Sequence, residues 1–184
     1  MYEIEIKVEL TENEKQELIE SFKRRNFTFK GITPQNDYYI EATESPYGGF
    51  NLKRYRNENS KFIYTEKVWE LIEGQPFRKE DEYEASKEEF DSKIVEFPDA
   101  LKIVKDREWF KGSYQYREIS ITIDSVKFDH SPVMRYFIEA EIDIPDKKDV
   151  VEAKELIANF LKEILDRQEI VESPGMFTMA FKKL

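Results

Sequence analysis

Residues 3–7 read Glu-Ile-Glu-Ile-Lys, and the alternation of charged and apolar residues continues through Val8, Glu9 and Leu10. A period of two predicts a strand with Glu3, Glu5 and Lys7 on one face, roughly 6.6 Å apart in succession, and Ile4, Ile6, Val8 and Leu10 on the other. The same two-residue spacing of charge recurs at Arg54 and Arg56, at Lys105 and Arg107, and at Glu139 and Glu141, with single charges at Lys67 and Asp124. Carboxylates without imidazole or thiolate partners are hard oxygen donors and favour Mg2+ or Mn2+ over zinc. Guanidinium forks and ammonium groups are the matching half, because they hold phosphate oxygens. Together the two sets describe a site for a metal-chelated polyphosphate. The same residues also fit a surface of interspersed cross-strand salt bridges, and spacing alone does not separate the readings.

These side chains need strands to carry them. After the first strand, Thr11-Glu12-Asn13-Glu14 is a capping box, and Leu18, Ile19 and Phe22 follow at helical spacing before Asn26. Residues 27–32 and 36–41 read as two extended segments and predict a hairpin between them. Gly48-Gly49 marks a turn, residues 50–56 are extended, Asn57-Glu58-Asn59-Ser60 turns the chain, and residues 61–69 return. Residues 78–85 form a strand carrying Glu80, Glu82 and Glu84, followed by a capping-box candidate at Ser86 with Glu89 and a short helix to about Ile94. Residues 103–110 and 114–128 predict two strands split at Lys111-Gly112-Ser113, and residues 135–144 another. From Asp149, apolar residues from Val150 to Leu165 keep a 3-4 rhythm, so the longest helix is expected there. About eight strands with few helices predict an antiparallel α+β fold, and a closed barrel would turn the charged rows toward a common interior. No Gly-rich turn from strand to helix marks a dinucleotide or P-loop site.

Composition narrows the chemistry. The 184 residues fit one domain, and 40% hydrophobic with 14% aromatic content is that of a folding chain. A net charge of −10 argues against non-specific nucleic-acid binding. The chain has no cysteine, which removes disulfides, thiolate metal sites and cysteine nucleophiles and suits a reducing compartment. Its one histidine, His130, stands in Asp-His-Ser-Pro and reads as a turn residue rather than a triad member. No apolar run approaches the roughly 20 residues that span a bilayer, and the N-terminus lacks a signal-peptide layout. A cytoplasmic protein, monomeric or homodimeric, is expected.

The segments resemble, in order, the motifs of the CYTH superfamily, the triphosphate tunnel metalloenzymes. Glu3-Ile4-Glu5-Ile6-Lys7 resembles the ExExK signature; Asn36 to Glu41, the D-x-Y-F-D strand; Leu52 to Arg56, the R-x-R strand; and Tyr64 to Lys67, the T-x-K strand. Lys105-Asp106-Arg107 is similar to the K-x-R segment, Ile123 to Val126 to the D-x-V strand, and Phe137 to Glu141 to the closing E-x-E strand. The resemblance implies an eight-stranded antiparallel barrel forming a triphosphate tunnel, with flanking helices, in a single domain over residues 1–184. It implies Glu3, Glu5, Asp124, Glu139 and Glu141 as ligands of Mg2+ or Mn2+, and Lys7, Arg54, Arg56, Lys67, Lys105 and Arg107 as phosphate-binding groups. Glu3, Glu5 and Lys7 are expected to serve catalysis. The expected activity is hydrolysis of a small triphosphate-bearing molecule: inorganic triphosphate, a nucleoside triphosphate or thiamine triphosphate. Formation of cyclic AMP from ATP, or triphosphate binding without turnover, are the alternatives. Three departures stand out: a lengthened segment around His130-Ser131-Pro132, Phe177 where a Ser-Tyr pair is common, and the terminal Lys182-Lys183.

Overall fold

The computed structural model describes residues 2–72 and 74–184. Among them are eight strands and four α-helices: β1 (Tyr2–Leu10), α1 (Glu12–Arg24), β2 (Thr28–Glu44), β3 (Phe50–Glu58), β4 (Lys61–Ile72), β5 (Gln75–Ala85), α2 (Lys87–Glu96), β6 (Leu101–Tyr114), β7 (Arg117–Lys127), β8 (Met134–Ile144), α3 (Val150–Leu165) and α4 (Met176–Lys182). One sheet holds all eight strands in the order β1-β8-β7-β6-β2-β3-β4-β5, and the class is α+β as expected. The chain forms two compact units, the first of Met1–Thr33, Asp106–Val126 and Val133–Ser173, the second of Pro34–Lys105, Lys127–Pro132 and Pro174–Leu184.

In the first unit the even-numbered residues of β1, Ile4, Ile6 and Val8, pair with Ile142, Ala140 and Ile138 of β8 and are buried. Helix α3 lies against these two strands and buries Ala153, Ile157, Phe160 and Leu161. Helix α1 begins at the capping box, with Thr11 and Glu14 satisfying each other's backbone donors. Its Phe22 packs on Phe27 and Phe110.

In the second unit, Tyr55, Ala85 and Phe90 form a core with Tyr38, Ile40, Phe62, Tyr64 and Ile94. Helix α4 buries Met176, Phe177, Met179 and Ala180, and Phe177 sits on Tyr39 and Phe50. A bulge in β2 at Ile40 changes the register between Tyr39 and Glu41. It lets Tyr39 pair with Arg54 while Glu41 pairs with Lys53, whose Nζ donates to Glu41 at 2.7 Å.

Three local expectations differ. The hairpin expected between residues 32 and 36 is absent; β2 runs from Thr28 to Glu44 through Pro34, a residue that gives up a backbone donor. The β6–β7 turn falls at Gln115-Tyr116, both in the left-handed region (φ 46° and 67°), rather than at Lys111-Gly112-Ser113. Gly112 instead lies within β6, where a Cβ would stand 2.4 Å from the Phe27 ring. Helix α4 was not expected at all.

Candidate functional site

The alternation in β1 leaves its odd residues on the face opposite the α3 core. The antiparallel register sets Glu3 across from Asp143, Glu5 across from Glu141 and Lys7 across from Glu139. Carboxylate oxygens of Glu3, Glu141 and Asp143 lie within 4.8 Å of one another. Like charges facing each other across a strand pair repel. Burial, and then Glu3, Glu139, Glu5 and Asp143, push the Glu141 carboxyl up to about 8. An all-oxygen, crowded donor set of this kind fits a divalent cation such as Mg2+ or Mn2+, which would relieve the repulsion that the fold leaves in place.

Two cations stand among these acids. Lys7 Nζ is 2.6 Å from Glu139. Burial opposes its charge, but Glu139, Glu5 and Asp124 outweigh burial and raise its pKa. Arg107 donates from Nε and Nη2 to the two oxygens of Asp124, at 2.7 Å each, lies 3.6 Å from Glu139, and covers the Trp109 ring with its guanidinium 5.3 Å from the centroid. Asp124 is 1% exposed.

The second unit holds the other basic residues. Asp37, fully buried, is their hub. It accepts from Arg56 Nε at 2.6 Å and Nη2 at 3.1 Å, with Arg54 at 3.6 Å and Lys105 at 3.7 Å. Burial opposes ionisation of Asp37, but Arg56, Arg54 and Lys105 hold its carboxyl well below the usual range. Arg54 Nη2 also donates to Thr65 Oγ1 at 2.9 Å and lies 3.8 Å from Glu80. Lys67 pairs with Glu80 at 2.5 Å. Despite burial, Lys67 and Arg54 pull the Glu80 carboxyl down to about 2.

Every residue singled out in the sequence therefore has a place. Glu3, Glu5, Lys7, Arg107, Asp124, Glu139 and Glu141 belong to the first unit, and Arg54, Arg56, Lys67 and Lys105 to the second. Sequence reasoning missed Asp37 as the hub, Asp143 as a third member of the β8 acid row, and Glu80, whose register it left open. Asp143 was within reach, since it extends the Glu139-Glu141 alternation by one step. His130 is exposed in the β7–β8 connection and stacks on Phe128.

These strands define an antiparallel α+β protein whose carboxylate row suits a hard cation and whose arginine and lysine cluster suits a polyanion. The chain belongs to the CYTH domain family, whose model matches residues 1–169. No curated protein matches it by sequence. Among solved structures it is similar to PH1819 from Pyrococcus horikoshii (21% identity, TM-score 0.70, all of both chains). It is also similar to a candidate adenylyl cyclase from Hippeastrum described as having a dominant triphosphatase activity (17%, TM-score 0.64, 98% of this chain and 96% of that one). A third is a candidate adenylate cyclase from Bacillus halodurans (15%, TM-score 0.66, 98% and 97%). At these identities the likeness concerns the fold.

Proposed function

We propose that the protein hydrolyses the terminal phosphoanhydride of a triphosphate-bearing small molecule with the help of Mg2+ or Mn2+. The observation that carries this reading is the row Glu3, Glu5, Glu139, Glu141 and Asp143, crowded across β1 and β8 to the point that Glu141 resists ionisation. A receptor that only held phosphates would need the cations and not this row of acids. The dominant triphosphatase activity of the Hippeastrum relative agrees with it.

In this reading Glu3, Glu5, Glu139 and Glu141 hold the metal; Asp124, which the resemblance also implied as a ligand, is given the role of gripping Arg107, which occupies both of its oxygens. A bound divalent cation supplies charge neutralisation at the phosphate oxygens and lowers the pKa of water. Lys7 and Arg107 bind phosphate oxygens from within the acid row, each kept charged and aimed by a carboxylate. Arg54, Arg56, Lys67 and Lys105 are the phosphate-binding groups of the second unit, prearranged around Asp37 and Glu80 so that little reorganisation accompanies binding. Glu3, Glu5 and Lys7 are the residues we assign to catalysis. We read the two units as parts of one domain, since the family match runs through both. A cysteine-free, acidic chain suits the cytoplasm, and we propose a monomer or homodimer there, with no general affinity for nucleic acid.

The candidate cyclases among the structural neighbours favour a second reading, cyclisation of ATP to cyclic AMP and pyrophosphate. Assaying phosphate release and cyclic nucleotide on inorganic triphosphate, ATP, GTP and thiamine triphosphate, with each metal, separates the two. Glu5→Gln should abolish turnover while keeping most ligand binding. A variant that turns over normally, or a wild type inert toward every substrate, ends the enzymatic proposal.

A further inference from the structure

Helix α1 buries Leu18 and Phe22 in the first unit. Lys15 stands three residues before Leu18 and seven before Phe22, so a charged residue occupies the apolar stripe of the helix. Its side chain is only 18% exposed. Lys15 Nζ lies 2.6 Å from Glu108 Oε1 on β6, donates to Ser125 Oγ on β7 at 2.8 Å, and stands 5.3 Å from the centroid of the Tyr136 ring on β8. These three strands are neighbours in the sheet, and one ammonium group reaches all of them from the helix side.

The residues it grips are next in sequence to the charged pair on the other side. Glu108 follows Arg107 and Ser125 follows Asp124, and successive residues of a strand point to opposite faces. Phe110, two residues beyond Glu108, agrees with this by packing on Phe22 of α1. Arg107 and Asp124 therefore meet on one face of β6 and β7, while Lys15 fastens the same two strands from behind. The Arg107 fork crosses from β6 to β7 with both donors 2.7 Å from Asp124, so a small slip between these strands misaligns it.

Stability alone does not account for a lysine in this stripe. An ion pair taken out of water about breaks even with apolar side chains of similar volume, and a methionine there would continue the stripe. What the ammonium adds is direction, because its donors fix oxygens on two separate strands. We propose that Lys15 is a positioning residue, which acts through Glu108 and Ser125 to hold β6 against β7 and so to aim the Arg107 fork. This rests on the phosphate-binding role given to Arg107 above.

The test uses the full chain carrying Lys15→Met together with Glu108→Gln, which removes both charges and leaves neither unpaired. Its Tm should stay within about 3 °C of the wild type. Exchange of the Arg107 Nε–H with solvent, followed by nitrogen-15 NMR, should quicken about tenfold. With Mg2+ present, kcat/KM for the best triphosphate substrate should fall about tenfold. Lys15→Arg, which keeps the charge and the donors, should restore both values. Should the double variant fail to fold, Ser125→Ala removes a single hydrogen bond and should move both readouts the same way by about threefold. An Nε–H that exchanges at the wild-type rate, or faster exchange with kcat/KM unchanged, overturns the proposal. A wild type inert toward every triphosphate would instead count against the hydrolase reading, and the exchange rate alone then decides whether Lys15 aims Arg107.

Discussion

Asp124 spends both carboxylate oxygens on one partner, accepting from Arg107 Nε and Nη2 at 2.7 Å each. A fork gripped in this way is fixed in plane and direction, as the role proposed for Arg107 at a phosphate requires. Asp124→Asn should destabilise the fold by about 3 kcal/mol, because a buried guanidinium loses its counter-charge. Triphosphate affinity should drop with it, while Mn2+ affinity, read by calorimetry, changes less than about threefold. A selective tenfold loss of metal affinity would make Asp124 a direct ligand instead.

Asp37 is the corresponding anchor in the second unit, with two arginines and a lysine within 4 Å. Replacing it by Asn leaves three buried cations without their shared anion, a change that costs about 3–5 kcal/mol in comparable pairs. Denaturant melts of Asp37→Asn should display that loss, and millimolar inorganic triphosphate should recover part of it by supplying negative charge to the same side chains. Full stability without any polyanion would mean that the cluster does not need Asp37.

Acid should stabilise the metal-free protein over a defined window. The carboxyl of Glu141 sits at about 8 in the fold against an ordinary 4.5, so the folded state holds a proton that the unfolded chain releases. Its contribution is fully present below about 4.5 and is lost as pH rises toward 8. Melting temperature in chelator should therefore fall across that interval, Glu141→Gln should flatten the fall, and Mg2+ should reverse it by favouring the ionised carboxylate. A Tm profile identical in wild type and Glu141→Gln would contradict this account.

Gly112 leaves room for Phe27. A Cβ there would meet three ring carbons at 2.4 to 2.7 Å, too close for the ring to remain in place. Gly112→Ala should cost about 1–3 kcal/mol, and pairing it with Phe27→Leu should return most of that loss in a double-mutant cycle. Wild-type stability in the single variant would show that the ring moves freely.

Much of this arrangement was legible in the sequence because its signals are local. Charge alternation within β1, β3 and β8 announced which residues share a face, and the Thr11 capping box and the apolar rhythm of α3 marked their helices without reference to the rest of the chain. Asp37 was not legible as a hub, because what makes it one is the arrival of Arg54, Arg56 and Lys105 from two other strands. Gly112 was misread for a related reason: glycine signals a turn when only its own backbone is considered, whereas here Phe27 dictates it. The true turn, Gln115-Tyr116, carries neither glycine nor asparagine, and the pairing of β6 with β7 forces both residues into the left-handed region.

Helix α2 shows how far the outer layer reaches. Ser86 caps it by accepting from the Glu89 backbone, but the Glu89 carboxylate is drawn away from the cap to accept hydrogen bonds from the hydroxyls of Tyr55 and Tyr83, both at 2.6 Å. Tyr55 stands between Arg54 and Arg56 on β3 with its side chain on the other face of the strand. A single carboxylate on the exterior thus acts as a rivet through the strand that bears both arginines. Loosening that rivet would free the strand between its two arginines without altering either guanidinium, so a substitution at Glu89 is expected to reach Arg54 and Arg56 through Tyr55.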